Sequence, residues 1–293
     1  MPDQLIKAMA ADGRIRVVAA ITTNLVAEAC RRHQTSPTAS AALGKALTGG
    51  VLLSESLLKD SKGSLTVRII GNGPLGGVLV DAKANGAVRG YVAHPDIHLP
   101  PAESGTFDVG GAVGRQGTLS VTLDPGSGKP FSGTVELLSG ELSDDFTHYM
   151  AASQQTPSAI ALGIFVGREG DVEASGGLMV QMMPDAGDEI AWRLEQAVRE
   201  LPAITELLRR GDTLDQILEK ALSGFAFEII ERSEHIRFEC QCSEDRVMRA
   251  IASLGPKEIQ SIIEEDGKAE VRCHFCNEEY HLSRQQLEEL LAS

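Results

Sequence analysis

Apolar positions along this chain recur with two different periods, and the changes between them divide it. Residues 14–21, Arg-Ile-Arg-Val-Val-Ala-Ala-Ile, are rich in β-branched side chains and predict a strand. Helical spacing follows over about 24–33 and 38–59, the second stretch opened by Pro37, a residue well placed early in a helix. Gly49 and Gly50 weaken that second helix, and close packing against a neighbour is the expected reason. The texture then becomes strand-like, with strands expected at 65–70, 77–81, 87–92, 118–123 and 133–138, separated by Gly and Pro. A helix near 143–153 and strands at 159–166 and 175–182 complete this part. Consecutive strands favour antiparallel pairing, so the expected class is α+β and not a doubly wound parallel sheet.

After Met183-Pro184 the period returns to that of a helix. Ile190, Leu194, Val198 and Leu201 form one stripe, Leu207 and Leu208 continue it beyond Pro202, and Leu214, Ile217 and Leu218 form a third after Gly211. Charged residues such as Arg193, Glu195, Arg209 and Arg210 occupy the opposite faces. Such stripes usually pack permanently on a neighbouring domain; the alternative is a detachable linker covered in one state only. Residues 234–293 read as a separate unit. Ile236, Phe238, Cys240 and Cys242 alternate like one face of a strand. Val247, Ile251 and Leu254 suggest a short helix ended by Gly255, and Ile259, Ile262 and Ile263 a second one after Pro256. Tyr280 and Leu282 lie on a return strand, and Ser283-Arg-Gln-Gln286 is a capping-box pattern for a last helix bearing Leu287, Leu290 and Leu291. The expected organisation is thus a mostly antiparallel α+β domain with helices (1–182), an amphipathic helical linker (183–233) and a small four-cysteine domain (234–293).

Charge narrows the function classes. The 293-residue chain carries 27 Lys and Arg against 41 Asp and Glu, a formal net charge of −14, which disfavours a sequence-independent grip on nucleic acid. No stretch approaches the ~20 apolar residues of a membrane span, and the first residues lack the pattern of a signal peptide. A cytoplasmic protein without membrane or nucleic-acid partners is expected, in which clustered cysteines more often bind metal than form structural disulfides.

Four of the five cysteines stand in two close pairs, Cys240-Gln-Cys242 and Cys273-His-Phe-Cys276. Two thiolates one or two residues apart make half of a tetrahedral site, and the second pair completes it, so one structural Zn2+ per chain is expected. His235, His274 and His281 are available substitutes, but four sulfurs already fill the tetrahedron. The unit has 13 acidic and 7 basic side chains in 60 residues and little apolar material, so metal should decide whether it folds. On a strand, residues two apart lie ~6.6 Å between Cα atoms, near the upper limit of disulfide reach. Bridging Cys240 to Cys242 would bend the strand and remove two ligands, so oxidation and unfolding are expected to be coupled.

Other features carry less. Cys30, alone in a helical stretch, reads as a small buried hydrophobe. Gly71-Asn-Gly-Pro-Leu-Gly76 fits GxGxxG but precedes another strand, so it reads as a tight connection and not a nucleotide site. Residues 125–130 read as a turn. His94, Asp96, His98, Asp144, Asp145 and His148 lack a nucleophile or a tuned acid pair and read as surface polar residues; no enzyme is expected. A thiol oxidoreductase using Cys273 and Cys276 is the alternative from another class, weakened by the missing thioredoxin-type strand–helix setting. A zinc-ribbon nucleic-acid binder is disfavoured by charge, and a static zinc fold is allowed by the spacing.

With these residues in view, the chain resembles the redox-regulated 33 kDa chaperonin family over nearly its whole length. The two cysteine pairs at this separation carry the likeness most specifically, supported by Val88-Arg-Gly-Tyr-Val92, Ser139-Gly-Glu141, Gln155-Thr-Pro-Ser158 and Ser175-Gly-Gly177. The resemblance implies an ATP-independent holdase that is zinc-bound and inactive when reduced. It also implies that oxidation pairs Cys240 with Cys242 and Cys273 with Cys276, that metal is lost and the small domain unfolds, and that a homodimer binds unfolding client proteins. Ile190, Leu194, Val198, Leu201, Leu207, Leu214, Ile217 and Leu218 would then supply apolar surface for clients or for the partner subunit.

Overall fold

The computed structural model describes residues 2–102 and 105–292. The chain divides into two compact units, Met1–Glu239 and Cys240–Ser293. The larger begins with β1 (Gln4–Ala10), β2 (Ile15–Ile21), α1 (Thr23–His33) and α2 (Pro37–Leu57). Strands β3 (Ser64–Gly71), β4 (Val78–Lys83) and β5 (Ala87–Val92) follow, then α3 (Val109–Val113), β6 (Gly117–Asp124), β7 (Phe131–Glu136), α4 (Leu142–Ala152), β8 (Ser158–Val166) and β9 (Val172–Met182). Helices α5 (Gly187–Glu200), α6 (Ile204–Arg210) and α7 (Leu214–Ala221), with β10 (Phe227–Ser233) and β11 (Arg237–Phe238), complete it.

One sheet has the order β10-β1-β2-β9-β8 and the other β11-β5-β4-β3-β6-β7. Pairing is antiparallel throughout both, apart from β11, which runs parallel to β5. The α+β class with antiparallel sheets is therefore what the chain adopts. Helix α2 touches strands of both sheets and is buried along nearly its whole length. A helix apolar on all sides can be stable only in such a place, and its two glycines are the cost of fitting there. A Cβ on Gly49 would come within 2.3 Å of Phe146 Cε2, and one on Gly50 within 2.8 Å of Val80 Cγ1. Close packing is indeed why they are glycines.

The five-stranded sheet is apolar on both faces. On β2, Val18 and Ala20 face the core around α2, while Ile15, Val17, Ala19 and Ile21 face a second, outer core. Covering both faces replaces clean alternation by a continuous apolar run, and this is why 14–21 reads so plainly as a strand. Its partner β1 carries the less regular pattern Gln-Leu-Ile-Lys-Ala-Met-Ala, and the chain pattern does not single it out. The Asp3 carboxylate ahead of β1 accepts hydrogen bonds from the Asn24 and Leu25 amides at 2.8 and 2.7 Å, closing the start of α1 from a distant part of the sequence.

Residues 183–233, expected to be helical, hold α5, α6 and α7 and then the strand β10, which pairs with β1 at the edge of the five-stranded sheet. Phe-Glu-Ile-Ile-Glu-Arg-Ser alternates too weakly to announce itself, and Ile230 is left 58% exposed. The polar residues grouped as surface positions separate. Asp145 is fully buried, with Oδ1 accepting from the Leu138 amide at 2.7 Å and the Ser139 amide at 3.3 Å. Its expected exposure is thus overturned: it fastens the turn that leads into α4, and burial pushes its carboxyl pKa up. Cys30 is buried, as a small hydrophobe would be. The segments 71–76 and 125–130 are the connections from β3 to β4 and from β6 to β7.

The contact at Gly49 yields a prediction. In an exposed helix Gly→Ala gains about 1 kcal/mol, but here the added methyl must displace the Phe146 ring, which should cost about 1–3 kcal/mol net. Urea unfolding of reduced Gly49→Ala should show a lower midpoint than wild type, partly restored by adding Phe146→Leu. A raised midpoint for Gly49→Ala alone would refute the packing account.

Candidate metal centre

The smaller unit is built from α8 (Glu244–Ala252), α9 (Pro256–Glu265), the hairpin β12 (Lys268–Arg272) and β13 (Glu279–Ser283), and α10 (Arg284–Ala292). Its core is small: Val247, Ile251, Ile259, Ile263, Leu282 and Leu287 are its main buried side chains. Leu254, placed in the first of these helices by spacing, lies beyond its end and is 52% exposed. The expected capping box before the last helix is present, Ser283 Oγ accepting from the Gln286 amide at 3.4 Å and Gln286 Oε1 accepting from the Ser283 amide at 2.9 Å.

Two irregular segments bring the cysteines together. Cys240 and Cys242 do not continue a strand: β11 ends at Phe238, and the chain from there to the start of α8 is irregular. That corrects the strand reading of Cys-Gln-Cys: the ladder with β5 ends at Phe238, and beyond it no strand pairs with these residues. Ser243 then begins α8, its hydroxyl accepting from the Arg246 amide at 3.3 Å. The second pair occupies the loop of the β12–β13 hairpin. The Cys273 amide donates to the Glu278 carbonyl at 2.9 Å and the Asn277 amide to the Cys273 carbonyl at 2.8 Å, with Asn277 in the left-handed region at φ 59°. These backbone bonds hold Cys273 and Cys276 on one tight turn.

The four sulfurs lie within 4.8 Å of one another, and all are free thiols. Cys240 and Cys273 are 3.7 Å apart, and Cys242 and Cys276 3.2 Å. Zn–S bonds of ~2.3 Å in a tetrahedron place sulfurs ~3.8 Å apart, so the set fits a tetrahedral thiolate-loving ion. Both contacts are well beyond a covalent S–S bond of ~2.05 Å. The two short contacts cross between the sequence pairs, so each pair contributes one sulfur to each. Histidine takes no part in this grouping among the described residues. His235 bonds Glu55 Oε1 at 3.0 Å within the larger unit, and His281 Nδ1 stands 3.8 Å from Glu270 Oε1.

The electrostatics favour a cation. Burial raises the thiol pKa of Cys242, and burial followed by the neighbouring thiols raises that of Cys276. Several thiolates cannot share this space unassisted, whereas a divalent ion among them reverses the sign and displaces their protons. Tyr280, which spacing marks only as a strand residue, donates its hydroxyl to Cys242 Sγ at 3.1 Å. Its alternation with the buried Leu282 on β13 was the one sequence signal that it faces inwards.

The other predicted site residues lie elsewhere. Ile190, Leu194, Leu207, Leu214, Ile217 and Leu218 are buried in the outer core against the five-stranded sheet, with Val198 and Leu201 partly buried beside them. Among the polar residues considered for catalysis, His98 Nδ1 bonds Thr38 Oγ1 at 2.9 Å and Asp145 serves its turn, so neither stands free for chemistry. No helix among the described residues is long and apolar enough to cross a membrane.

Comparison with known proteins agrees with this arrangement. A family model described as "Hsp33 protein" matches residues 3–283. The chain is 49% identical over 293 residues to the 33 kDa chaperonin of Rippkaea orientalis, covering 99% of this chain and 97% of that one. It is 46% identical over 290 residues to the 33 kDa chaperonin of Geobacillus kaustophilus, covering 99% and 98%. The crystal structure of the 33 kDa chaperonin of Thermotoga maritima superposes with a TM-score of 0.92 at 35% identity, covering 100% of this chain and 98% of that one.

If the metal supplies most of the small unit's stability, losing one ligand should unfold it alone. Structural zinc is worth about 10–16 kcal/mol in small peptides, as much as a whole domain. Reduced Cys276→Ser should bind far less than one zinc per chain, and hydrogen exchange should show residues 240–292 unprotected while β2 and β9 stay protected. Full metal content and full protection in that variant would contradict the assignment.

Proposed function

The chain belongs to the Hsp33 chaperone family, and from that premise we propose that it is an ATP-independent holdase switched on by oxidation. In the reduced state Cys240, Cys242, Cys273 and Cys276 hold one Zn2+. That ion supplies the positive charge that keeps four thiolates together and the cross-link that stabilises a unit with a small core. Oxidation pairs Cys240 with Cys242 and Cys273 with Cys276. Each new S–S bond consumes two ligands, so the site is dismantled by the reaction that forms it. All four sulfurs lie within 4.8 Å of one another, so each cysteine has its sequence neighbour within short reach for such a bridge.

With its cross-link gone, the segment 234–293 unfolds, and the linker 183–233 loosens. The observation that carries the reading is the outer core. Ile190, Leu194, Leu207, Leu214, Ile217 and Leu218 bury one face of an amphipathic helical segment on a sheet face that is itself apolar. Lifting α5–α7 would uncover both the stripe and the Ile15, Val17 and Ala19 face beneath it, a large apolar surface suited to unfolding polypeptides or a second subunit. The active form is a homodimer in the cytoplasm, and the net charge of −14 keeps so apolar a state soluble.

Two measurements test this. Wild-type protein should suppress aggregation of a thermally unfolding enzyme after peroxide treatment and not before; absence of suppression in every state would defeat the reading. Leu218 is fully buried in the outer core, so Leu218→Glu should undock α7 and give suppression in the reduced, zinc-loaded protein without oxidant. A Leu218→Glu protein with native exchange protection of α7 that stays inactive when reduced would fit the reading; one with α7 unprotected and no activity would refute the role of the outer core.

A further inference from the structure

We propose that release of β10 turns β1 into an acceptor edge, to which an extended apolar segment of an unfolding polypeptide adds as a strand. This rests on the reading that residues 183–233 loosen in the active state, since β10 is the last element of that stretch. In the resting protein β10 lies on β1 with Phe227 opposite Ala10, Ile229 opposite Ala8 and Arg232 opposite Ile6. The Ala11 amide continues the pairing, donating to the Ala226 carbonyl at 3.1 Å. Phe227 and Ile229 pack against the outer core, which includes Ile6, Ala8 and Ala10 of β1. Removing β10 therefore uncovers two things in one place: a row of unpaired backbone groups along β1 and an apolar trough beside it. β1 itself stays in the sheet, paired over its whole length with β2 and with Leu5 anchored in the main core.

The edges this sheet presents at rest are guarded. At its far side the Ile160 amide of β8 donates to Thr147 Oγ1 at 3.1 Å and the Leu162 amide to Ser143 Oγ at 3.2 Å, so hydroxyls of α4 occupy these amides. The outer edge of resting β10 is protected by a bulge, where the register passes from Glu231 to Ile229 and leaves out Ile230. Glu228, Glu231 and Arg232 stand exposed along the same strand. Bulges and charges of this kind keep a free edge from pairing with other chains. β1, by contrast, carries one charged residue, Lys7, whose ammonium is held by the Glu55 carboxylate at 2.7 Å. The covered edge is thus the one fit to pair. Backbone pairing also suits the occupant. Main-chain hydrogen bonds are the same for every sequence, and the trough adds only a demand for apolar side chains at alternate positions, which Phe227 and Ile229 meet at rest. Extended stretches of an unfolding protein satisfy both conditions, whereas a helix, whose backbone is already paired, does not.

The test follows single amides of the full-length, peroxide-oxidised protein by hydrogen exchange, with a short peptide of alternating Val and Thr as probe. Oxidation should strip protection from alternate amides of Gln4–Ala10, those that face β10, while the amides that face β2 keep theirs. Adding the peptide should restore protection at the same amides with β10 still unprotected. Two derivatives of the peptide carry N-methyl groups on alternate residues, one on the Val set and one on the Thr set. Only one set faces β1 in an added strand, so one derivative should bind about tenfold or more weaker than the parent and the other should bind like it. Equal binding of the two derivatives, whether strong or weak, overturns the proposal. So does a β1 that stays protected throughout after oxidation. Protection that returns without peptide as the protein concentration is raised gives the edge to a second copy and overturns the client assignment. An oxidised protein that fails to suppress aggregation would defeat the holdase reading by itself; exchange of the β1 amides with the peptide would still decide the edge.

Discussion

Four sulfur atoms within 4.8 Å of one another are the constraint on which the small unit depends. The chain brings them together from an irregular segment after β11 and from a hairpin loop, neither of which is a rigid element by itself. Burial and mutual proximity raise the thiol pKa values of Cys242 and Cys276, so charge alone would push the cluster apart. A tetrahedral cation held by the four sulfurs would resolve the repulsion and supply the cross-link that a core of a few isoleucines, leucines and valines lacks. Folding and metal binding would then be one equilibrium. Any reaction that consumes the sulfurs acts on the fold directly.

The larger unit has the opposite character. Its main core surrounds α2 and does not involve the cysteine pairs. Its outer core is a thin layer, one amphipathic segment laid on one face of a sheet. Two of the three helices of that layer are short: α6 spans 7 residues and α7 spans 8, while α5 spans 14. Helices of this length are marginal without tertiary support, so their order depends on the apolar face beneath them. A marginal layer over a self-sufficient core can be lifted without unfolding what remains. The holdase reading requires that property.

How much could be read beforehand follows from the physics of each signal. The zinc-like set was legible because ligand chemistry fixes residue type and spacing. Strand β2 and helix α2 were legible because their burial makes long apolar runs, and α1 because Leu25, Val26, Ala29 and Cys30 recur at helical spacing. Strand β10 was not, since an edge strand such as Phe-Glu-Ile-Ile-Glu-Arg-Ser is half exposed and carries mixed polarity; β1, an inner strand, was not because Gln4 and Lys7 interrupt its apolar run. Asp145 was misjudged because a buried carboxylate that accepts backbone amides looks, in sequence, like any acidic residue of a helix's first turn. The position of Cys240 and Cys242 off the strand was hidden for a different reason. Alternation with Ile236 and Phe238 continues in the letters after the pairing with β5 has ended.

The remaining choice is between a centre that is consumed by oxidation and one that turns over as a thiol oxidoreductase. A turnover thiol needs a depressed pKa, commonly supplied by a helix N-terminus or a nearby cation of the protein's own. Cys273 and Cys276 lie in a hairpin loop between two strands, and Cys276 is 3% exposed with its pKa pushed upwards by burial. A thiol so placed is a poor attacking group unless a metal deprotonates it, and it is badly placed to reach a protein disulfide. Cys240, Cys242 and Cys273 are partly open, and Cys242 accepts a hydrogen bond from the Tyr280 hydroxyl at 3.1 Å. Those features suit a device that waits intact and reports once, and they set it apart from a catalyst.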